Sequence, residues 1–336
     1  MVTDDTEKLY ELGQLITPMA IRVAATLRLA DWITAGTTTL TELAAAVDAD
    51  PDALGRLLRY LAARNIFAEP EPGRFALTSL AEPLRDDHPD QVRAWLDLTG
   101  AIGRADLGFC ALLDVIRTGN PGHAMVHGRD FWADLASNPE LAESYDASIT
   151  WHRARVRTVP WLVARDWSGT QHVVDVGGGT GSLLVPLLQA HPHLKGTLVE
   201  LPGAAAVARQ ALVEGGLSGR GDVVTGSFFD PLPAGADVYL LTTILHNWND
   251  TDATTILRQC AKAANRGGRV LLFDLVAAGE ENRQVFTYWD LHMLVYLGGR
   301  ERTLEDFTAL TDAAGLAITS VTPSMPGPSL IDCTVL

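Results

Sequence analysis

The chain has 336 residues, of which 47% are hydrophobic and 20% are charged, an ordinary composition for a globular protein with room for two domains. Its 26 basic and 41 acidic residues give a net charge of −15. Affinity for nucleic acids depends largely on basic side chains that neutralise phosphates. The charge therefore argues against a nucleic acid as the main partner, although a local basic patch would escape this count.

The sequence has no apolar run long enough to cross a bilayer. The first residues, MVTDDTEKLYELG, are acidic and lack the basic-then-apolar order of a secretory signal. Cys110, Cys260 and Cys333 are scattered without the spacing of a zinc site or a disulfide framework. We therefore expect a cytosolic protein with reduced cysteines, no metal and no membrane partner.

The first hundred residues have a helical pattern. Apolar residues recur at helical spacing and mark one stripe: Leu9, Leu12, Leu15, Ile16, Met19, Ala20 and Val23. Further on, Thr39 or Thr41 can cap a short helix, and Asp50 with Pro51 begins a second one. Two short extended runs around a Pro-Gly turn follow in "IFAEPEPGRFALTSL". Two helices followed by a small hairpin indicate a winged helix.

Winged helices often bind DNA, so the charge of this segment matters. Between Thr41 and Arg85 the sequence has five arginines, no lysine and seven acids. A DNA-binding domain normally presents a clearly basic face. A structural or dimer-forming role is favoured, and a DNA-binding regulator with an adenosyl sensor domain stays open as an alternative.

The remainder of the chain changes from helices to alternating elements. From His172 onward the strand candidates are "HVVDV", "GTLVEL", "GDVVTGSF", "ADVYLLTTIL" and "GRVLLFDLV". The helix candidates between them are "GSLLVPLLQAH", "GAAAVARQALVEG" and "DATTILRQCAKAAN". This alternation predicts an α/β, mostly parallel, doubly wound sheet of the Rossmann type. We place the domain boundary near residue 100, so that residues 1–100 form the winged-helix-like domain. Residues 101–336 then form a helical linker, to about residue 165, and the ligand-binding domain.

The segment "VVDVGGGTG" follows the first of these strands, at the edge where ligands of a doubly wound sheet bind. Gly177, Gly179 and Gly181 are spaced G-x-G-x-G, whereas the dinucleotide fingerprint requires G-x-G-x-x-G and a P-loop ends in Gly-Lys-Ser/Thr. Asp175, at the end of the strand, is awkward beside a pyrophosphate. The loop therefore suits a cationic ligand without phosphates.

Two later segments narrow the choice of ligand. Glu200, nineteen residues after Gly181, ends the second strand with Leu201 beside it, where a carboxylate can accept hydrogen bonds from ribose hydroxyls. Nicotinamide and adenosyl cofactors share that contact. Ser227 and Phe228 end the third strand, where an adenine could lie against an apolar edge. These features in this order favour S-adenosylmethionine over NAD.

The motifs "VVDVGGGTGSLL", "LVELPG", "GSFFDPLP", "LHNWND" and "LGGRERT" together resemble the small-molecule O-methyltransferases that use S-adenosylmethionine. That family includes plant phenylpropanoid and flavonoid enzymes and bacterial enzymes that methylate polyketides and antibiotics. The bacterial branch looks closer, given "FWADLASNPELAESYDASI". The resemblance covers nearly the whole chain and implies a class I methyltransferase fold with an N-terminal dimerisation domain. It also implies a homodimer in which the stripe from Leu9 to Val23 is buried against the partner; packing within the chain is the alternative.

The chemistry of methyl transfer to a phenol calls for a base that removes the hydroxyl proton, and a histidine with an ordinary pKa of ~6.5 suits that task near neutral pH. His246, just past the fourth strand, matches the catalytic histidine of the family; from position alone it could equally cap the next helix. The resemblance implies that two carboxylates hold the ring, Asp274 and Glu301. Asp274 stands where plant enzymes usually have Glu, so its reach is shorter, and either acid could be a plain loop-end group.

The acceptor side is implied by the same resemblance. Asn247 and His292 match positions at which bacterial relatives contact substrate, and Met293 matches a plant position that packs on the aromatic acceptor. Met293 could equally be part of the core. An aromatic helical stretch before the sheet could line the pocket or simply pack: Phe131, Trp132, Trp151 and His152.

We therefore expect an O-methyltransferase that acts on a phenolic or enolic hydroxyl of a small secondary metabolite and releases S-adenosylhomocysteine. Ser227 replaces an acid of the plant enzymes, which weakens the expected hydrogen bond on the adenine side. The alternative is a relative that binds the cofactor but catalyses hydroxylation, decarboxylation or a pericyclic reaction; the presence of His246 argues against it. The acceptor itself stays open, as does methylation at nitrogen or carbon.

Overall fold

The structure, a computed structural model, describes residues 4–155, 158–277, 279–280, 282–323 and 327–336. The chain divides into two compact units, Met1–Leu107 and Gly108–Leu336. The boundary near residue 100 and the linker to about residue 165 stay predictions. Among the described residues, no helix is both long enough and apolar enough to span a membrane.

The first unit consists of short helices and a β-hairpin. Its helices are α1 (Asp4–Gly13), α2 (Ile16–Thr26), α3 (Leu29–Thr34), α4 (Leu40–Ala46), α5 (Pro51–Ala63), α6 (Val92–Leu96) and α7 (Ala101–Asp106), and its strands are β1 (Phe67–Glu71) and β2 (Arg74–Leu77). The two strands pair antiparallel. Helices α4 and α5 followed by this hairpin form the predicted winged-helix arrangement.

The helix starts in this unit follow from side-chain caps. Thr39, one of the two candidates, caps α4 in a capping box: its hydroxyl accepts from the backbone N–H of Glu42, whose carboxylate accepts from the N–H of Thr39. Asp50 accepts from the N–H of Ala53 at 2.8 Å and caps α5, with Pro51 at the first turn. Both caps satisfy N–H groups that a helix leaves without a partner.

The predicted apolar stripe divides into two parts. Helices α1 and α2 are separate, with a break at Gln14 and Leu15. Leu9, Leu12 and Leu15 are 73%, 76% and 73% exposed, whereas Ala20 belongs to the buried core of the first unit. The exposed part is an apolar surface that the described residues of the first unit leave uncovered.

The second unit contains the remaining helices and one sheet. The helices are α8 (Leu112–Thr118), α9 (Gly122–His127), α10 (Phe131–Ser137), α11 (Pro139–Arg155), α12 (Thr158–Val163), α13 (Leu184–Ala190), α14 (Pro202–Glu214), α15 (Asp250–Ala263), α16 (Arg283–Leu297) and α17 (Leu304–Ala313). The strands are β3 (His172–Val176), β4 (Lys195–Glu200), β5 (Gly221–Thr225), β6 (Val238–Thr242), β7 (Arg269–Asp274), β8 (Leu316–Pro323) and β9 (Ser329–Val335).

Within the described residues, these seven strands form one sheet in the order β5-β4-β3-β6-β7-β9-β8. Strands β3 to β7 are parallel to one another, and the chain reverses its direction of travel across the sheet between β3 and β6. The loops after β3, β4, β6 and β7 therefore meet at one edge, the ligand-binding edge of a doubly wound sheet. The predicted Rossmann-like fold is confirmed.

Strands β8 and β9 were not predicted. Both are antiparallel to their neighbours: β9 pairs with β7 and with β8. β8 is the edge strand and half of its residues are exposed, so its apolar pattern is weak. These two strands extend the sheet beyond β7 and make it mixed.

Both faces of the sheet are covered by apolar side chains. Along β3, Val174 and Val176 belong to one buried cluster and Val173 to the other. Successive side chains of a strand point to opposite faces. The continuous apolar run of this strand, which contains Asp175 near its end, is therefore explained by helices on both sides.

Candidate active site

The loop between β3 and α13 is shaped by its glycines. Gly177, Gly179 and Gly181 have φ angles of +70°, +62° and +82°, a region that side-chain-bearing residues rarely adopt. A Cβ atom on Gly178 would lie 2.6 Å from Oδ2 of Asp175, so the carboxyl group of the strand lies directly beneath the loop. Asp175 itself is 1% exposed. The loop therefore turns tightly over a buried acid.

Glu200, at the end of β4, is bound to the same loop. Its Oε2 accepts a hydrogen bond from the backbone N–H of Gly179 at 3.0 Å, and its Oε1 accepts from the N–H of Leu201 at 2.7 Å. A carboxylate oxygen can accept more than one hydrogen bond. Both oxygens are thus oriented by the backbone and keep capacity for hydroxyl donors of a ligand.

An apolar wall lies beside the loop. Phe228 lies 3.3 Å from the position of a Cβ on Gly177. Trp248 packs edge-on against Phe228 and Phe229, with ring centroids 5.8 and 4.9 Å apart. β5 ends at Thr225, so Ser227 and Phe228 lie in the loop after the strand and not at its end as predicted.

The loop after β6 carries His246 in a short 3₁₀ turn, Leu245–Asn247. Thr243, just before the turn, has a φ of +54°, which is strained for a β-branched residue. Ile244 lies 2.7 Å from where a Cβ on Gly177 would stand. The histidine turn and the glycine loop are therefore neighbours at the carboxyl edge of the sheet.

His246 and Glu301 form a hydrogen-bonded pair. Nδ1 of His246 lies 2.9 Å from Oε1 of Glu301, whose side chain is 2% exposed. Because a carboxylate only accepts, Nδ1 carries the hydrogen and Nε2 of the neutral ring keeps its lone pair. Burial alone would lower the pKa of His246, but the charge of Glu301 and this hydrogen bond outweigh it and raise that pKa. The pair has the geometry of an oriented base.

Asp274 does not make the hydrogen bond to His246 that the resemblance implied. Neither of its carboxyl oxygens makes a hydrogen bond of good geometry within the described part of the chain, although the backbone N–H of Leu245 helps to lower its pKa. Burial raises the pKa of Asp274 to about 7, against the opposing charges of His246 and Arg302. Asp274 therefore acts on the imidazole through charge, and Glu301 alone holds Nδ1.

Arg302 is a site residue that the sequence analysis missed. Its side chain is fully buried and donates to the carbonyl oxygens of Leu245 and Trp248, on either side of His246. It also binds the carboxylate of Asp250 through Nε and Nη2. The quoted motif "LGGRERT" contains this residue, but nothing local separates it from the exposed Arg300.

The predicted acceptor residues lie in two places. Asn247 is buried in the histidine turn and donates from Nδ2 to the carbonyl of Thr243 at 3.3 Å. His292 and the buried Met293 lie on α16, where Nδ1 of His292 donates to the carbonyl of Tyr288 at 2.7 Å. The side chains of Trp151 and His152 lie outside the described residues.

A row of aromatic rings joins these two places. Trp132 on α10 is nearly parallel to Trp248, at 14° and 6.5 Å, and packs edge-on against Phe131. Phe131 is in turn nearly parallel to Tyr296, which packs edge-on against His292. The row runs from the apolar wall beside the glycine loop to α16, all within the second unit. We call these five rings the aromatic row.

Comparison with known protein families gives two matches. The family model of the O-methyltransferase domain matches residues 109–317, and that of the O-methyltransferase dimerisation domain matches residues 11–85. The chain belongs to the O-methyltransferase family. The family predicted from the motifs and the enzyme class, an S-adenosylmethionine-dependent O-methyltransferase, are confirmed.

Two curated relatives of this O-methyltransferase are similar over most of their lengths. It is 47% identical over 328 residues to 2,7-dihydroxy-5-methyl-1-naphthoate 7-O-methyltransferase of Streptomyces carzinostaticus, covering 98% of this chain and 97% of the relative. It is also 47% identical over 316 residues to aclacinomycin 10-hydroxylase RdmB of Streptomyces purpurascens, covering 93% of this chain and 84% of the relative.

Solved structures of the O-methyltransferase NcsB1 from neocarzinostatin biosynthesis are also similar. The complex with S-adenosylmethionine and 2-hydroxy-5-methyl naphthoic acid has a TM-score of 0.91 and 46% identity, and covers 97% of this chain and 98% of that chain. The complex with S-adenosyl-L-homocysteine and 1,4-dihydroxy-2-naphthoic acid has a TM-score of 0.93 and 47% identity, with 98% of both chains covered. Both show the fold of this O-methyltransferase with the ligands in place.

The residues of this O-methyltransferase fit the adenosyl cofactor. No atom of the described residues lies within 4 Å of the place where a Cβ on Gly179 would stand, so the loop has open space there for a ligand. Glu200 lies beside this opening, and Phe228 with Trp248 forms an apolar edge. A carboxylate for hydroxyl groups, an apolar edge for a flat base and a buried acid beneath the loop match ribose, adenine and a cationic amino-acid part.

Proposed function

We propose that the protein transfers a methyl group from S-adenosylmethionine to a phenolic hydroxyl of a small aromatic secondary metabolite, with His246 as the general base. The observation that carries the proposal is the 2.9 Å contact from Nδ1 of His246 to Glu301. It leaves Nε2 as the proton acceptor, on a turn that neighbours the glycine loop.

The cofactor would be held by the residues around the loop. Asp175 and the three positive-φ glycines would accommodate the methionine part, and Glu200 with Leu201 the ribose. Ser227 and Phe228 would lie along the adenine. When bound, S-adenosylmethionine supplies an electrophilic methyl group on a sulfonium; the protein's contribution is to fix its direction relative to the acceptor oxygen.

His246 would remove the phenolic proton. Nε2 takes it, and the positive charge that then develops on the ring lies against the Glu301 carboxylate, which stabilises it. Asp274 is a second acidic group whose charge raises the pKa of the ring. Phenols ionise far more readily than aliphatic alcohols, so an imidazole near neutral pH is a sufficient base.

The acceptor would lie along the aromatic row. Flat rings pack well against aromatic faces and edges, and Asn247, His292, Met293 and Trp132 lie in or beside this row. The relative from Streptomyces carzinostaticus acts on a dihydroxynaphthoate by name. A fused-ring phenol of that size is therefore the class of acceptor we propose.

A substitution of the base tests this proposal. His246→Gln should lower kcat by about 100-fold or more, the usual contribution of general base catalysis, while the affinity for S-adenosylmethionine changes less than about twofold. Because the pKa of His246 is raised, wild-type kcat should fall as pH decreases through a value above the usual ~6.5. The assay follows S-adenosylhomocysteine with 1,4-dihydroxy-2-naphthoic acid and related phenols as acceptors.

The matched control is His88→Gln, in the first unit, which should keep wild-type kcat. Near-normal turnover of His246→Gln across the pH range would refute the general-base role. Loss of cofactor binding in that variant would show instead that His246 belongs to the cofactor site.

Hydroxylation is a second candidate, favoured by the 47% identity to a hydroxylase. The two reactions differ in their products. Methylation adds one methyl group to the acceptor and yields one S-adenosylhomocysteine for each turnover. Turnover that adds an oxygen atom to the acceptor and forms no S-adenosylhomocysteine would establish hydroxylation in its place.

We further propose that two copies of the chain form a homodimer through the exposed apolar surface of Leu9, Leu12 and Leu15. The match of residues 11–85 to the dimerisation-domain model supports this. Contiguous exposed apolar side chains typically mark interaction surfaces. The cytosolic location and the absence of nucleic-acid binding stay predictions.

A further inference from the structure

Arg302 is a fully buried cation whose shorter side-chain hydrogen bonds go to the histidine turn, to Trp248 just after it and to Asp250 at the start of α15; a longer one, at 3.4 Å, goes to the carbonyl of Arg300. Nη1 donates to the carbonyl of Leu245 at 2.7 Å, and Nη2 to the carbonyl of Trp248 at 2.8 Å. Nε and Nη2 bind Oδ1 of Asp250 at 3.0 and 2.8 Å. Burying a charge raises the free energy of the folded state unless the charge is fully paired. The groups that pair with Arg302 belong to residues just before and just after His246 in the chain.

The backbone of the same segment completes this clamp. The N–H of Arg300 donates to the carbonyl of His246 at 2.9 Å. A Cβ on Gly299 would lie 2.1 Å from that carbonyl oxygen, so only glycine allows the two backbones to approach so closely. The carbonyls of Leu245, His246 and Trp248 are thus all bound by residues 300–302, which also contain Glu301, the partner of the imidazole.

The turn needs such a clamp. Thr243 holds a left-handed φ of +54°, a conformation that a β-branched residue keeps only when its surroundings impose it. The turn is a single 3₁₀ element with few hydrogen bonds of its own. Without donors to its carbonyls, the turn could relax and move the ring away from Glu301.

The positive charge of Arg302 also offsets the effect of two acids, Asp274 and Glu301, on the pKa of His246. Asp274 and Glu301 are both buried, at 0% and 4% exposure. Both attract a proton onto His246, whereas the charge of Arg302 opposes it and also lowers the pKa of Asp274. Among the described residues, the charged groups that shift the pKa of this ring are therefore Glu301, Asp274 and Arg302.

We propose that Arg302 is a positioning residue for His246: its buried guanidinium fixes the turn that carries the imidazole and balances the charge of the two carboxylates behind it. This inference rests on the proposed role of His246 as the base. The side chain of Arg302 is fully buried, so it acts through the turn and through the charge of its guanidinium.

Two substitutions separate the two effects. Arg302→Lys keeps the charge but loses the planar fork that reaches two carbonyls and a carboxylate together. Arg302→Gln loses both. We expect kcat to fall about 10-fold for Lys and about 100-fold for Gln, because a displacement of about 1 Å in a reacting group costs rates of this order. KM for either substrate should change less than about threefold.

The dependence of kcat on pH distinguishes the effect of the charge from the effect of the hydrogen bonds. Loss of the cation favours the imidazolium, so Arg302→Gln should move the acid limb of kcat to higher pH, and Arg302→Lys should leave the limb in place. The matched control is Arg117→Gln. Arg117 on α8 pairs with Asp114 from an exposed position, at 66% side-chain exposure. This control should keep both wild-type kcat and the wild-type profile.

A second readout does not depend on turnover. Histidine-labelled protein, saturated with S-adenosylhomocysteine, allows the titration of His246 to be followed by NMR, with His246→Gln assigning the signal. The pKa should rise in Arg302→Gln. Should that variant fail to fold, the Lys variant tests the positioning role: kcat should fall about 10-fold while KM changes less than about threefold, and a wild-type kcat would overturn the proposal.

Equal losses of kcat in both variants with no change in either titration would overturn the proposal and reduce Arg302 to a structural residue. Wild-type kcat in both would overturn it as well. Failure of the proposed function is a separate outcome, namely an active His246→Gln enzyme, and the NMR titration tests Arg302 even then.

Discussion

His246 illustrates how three kinds of interaction define one side chain. The hydrogen bond to Glu301 selects the tautomer, the buried acids raise its pKa, and the bonds from the segment at Arg302 fix its turn. None of these is visible in the residues adjacent to His246. The motif "LHNWND" indicated which histidine to consider, but its partners come from segments some 28 and 55 positions later, Asp274 and Glu301.

Replacement of Asp274 by Asn should make the protein more stable at alkaline pH. The folded pKa of about 7 lies above the unfolded value of 3.8. The folded state therefore holds the proton more tightly, and stability is lost as pH rises from about 4 to about 7. Asp274→Asn removes this loss, so its Tm should exceed that of wild type at pH 8 and differ little from it at pH 5. Differential scanning calorimetry at both pH values measures the effect.

The exposed Asp114 on α8 provides the control, because its side chain is 65% exposed. Asp114→Asn should leave the Tm unchanged at both pH values. A Tm for Asp274→Asn that is equal to or below wild type at pH 8 would contradict the buried-acid interpretation.

At the scale of elements, the sequence predicts those features that depend on neighbouring residues. It does not predict those that depend on contacts between distant residues. Pairings such as Thr39 with Glu42 and Asp50 with Ala53 lie within one turn, so the helix starts could be predicted. The parallel strands could be predicted from their apolar runs. Strand β8 could not, because half of it is exposed, and Arg302 could not, because burial depends on Asp250 and on two distant carbonyls.

Helix α17 depends on a capping box directly after Arg302. Thr303 accepts from the N–H of Asp306 at 3.1 Å, and Asp306 accepts from the N–H of Thr303 at 2.9 Å. Thr303→Ala should destabilise the protein by about 1 kcal/mol, seen as a Tm lower by about 2 °C. Thr308→Ala on the same helix, whose hydroxyl bonds only the carbonyl of Leu304, should be neutral or slightly stabilising. Equal Tm values for the two variants would contradict a capping role for Thr303.

At the scale of the whole molecule, the two family models match separate parts of the chain. Residues 109–317 carry the catalytic domain, and residues 11–85 carry the domain that family members use for dimerisation. Leu9, Leu12 and Leu15 stay more than 70% exposed among the described residues. The sequence pattern indicated an apolar stripe, but not which of its residues the unit's own core would take; Ala20 is one that it does.

The double substitution Leu9→Asp with Leu12→Asp should convert the homodimer to a monomer. Both side chains are more than 70% exposed, at 73% and 76%, so charges there cost the single chain little but are buried at the interface. Sedimentation velocity at micromolar concentration measures the mass. Lys8→Gln, on the same helix and also exposed, should stay dimeric. A monomeric wild type, or a double variant that remains dimeric, would contradict the proposed interface.

Trp248 contacts both the apolar wall beside the glycine loop and the next ring of the aromatic row. One side of its indole meets Phe228, beside the glycine loop, and the other is nearly parallel to Trp132 in the aromatic row. A substitution that changes the size of this ring would therefore alter the packing of both Phe228 and Trp132. Under the proposed function, engineering a broader acceptor range would therefore begin at Trp132 and leave Trp248 unchanged.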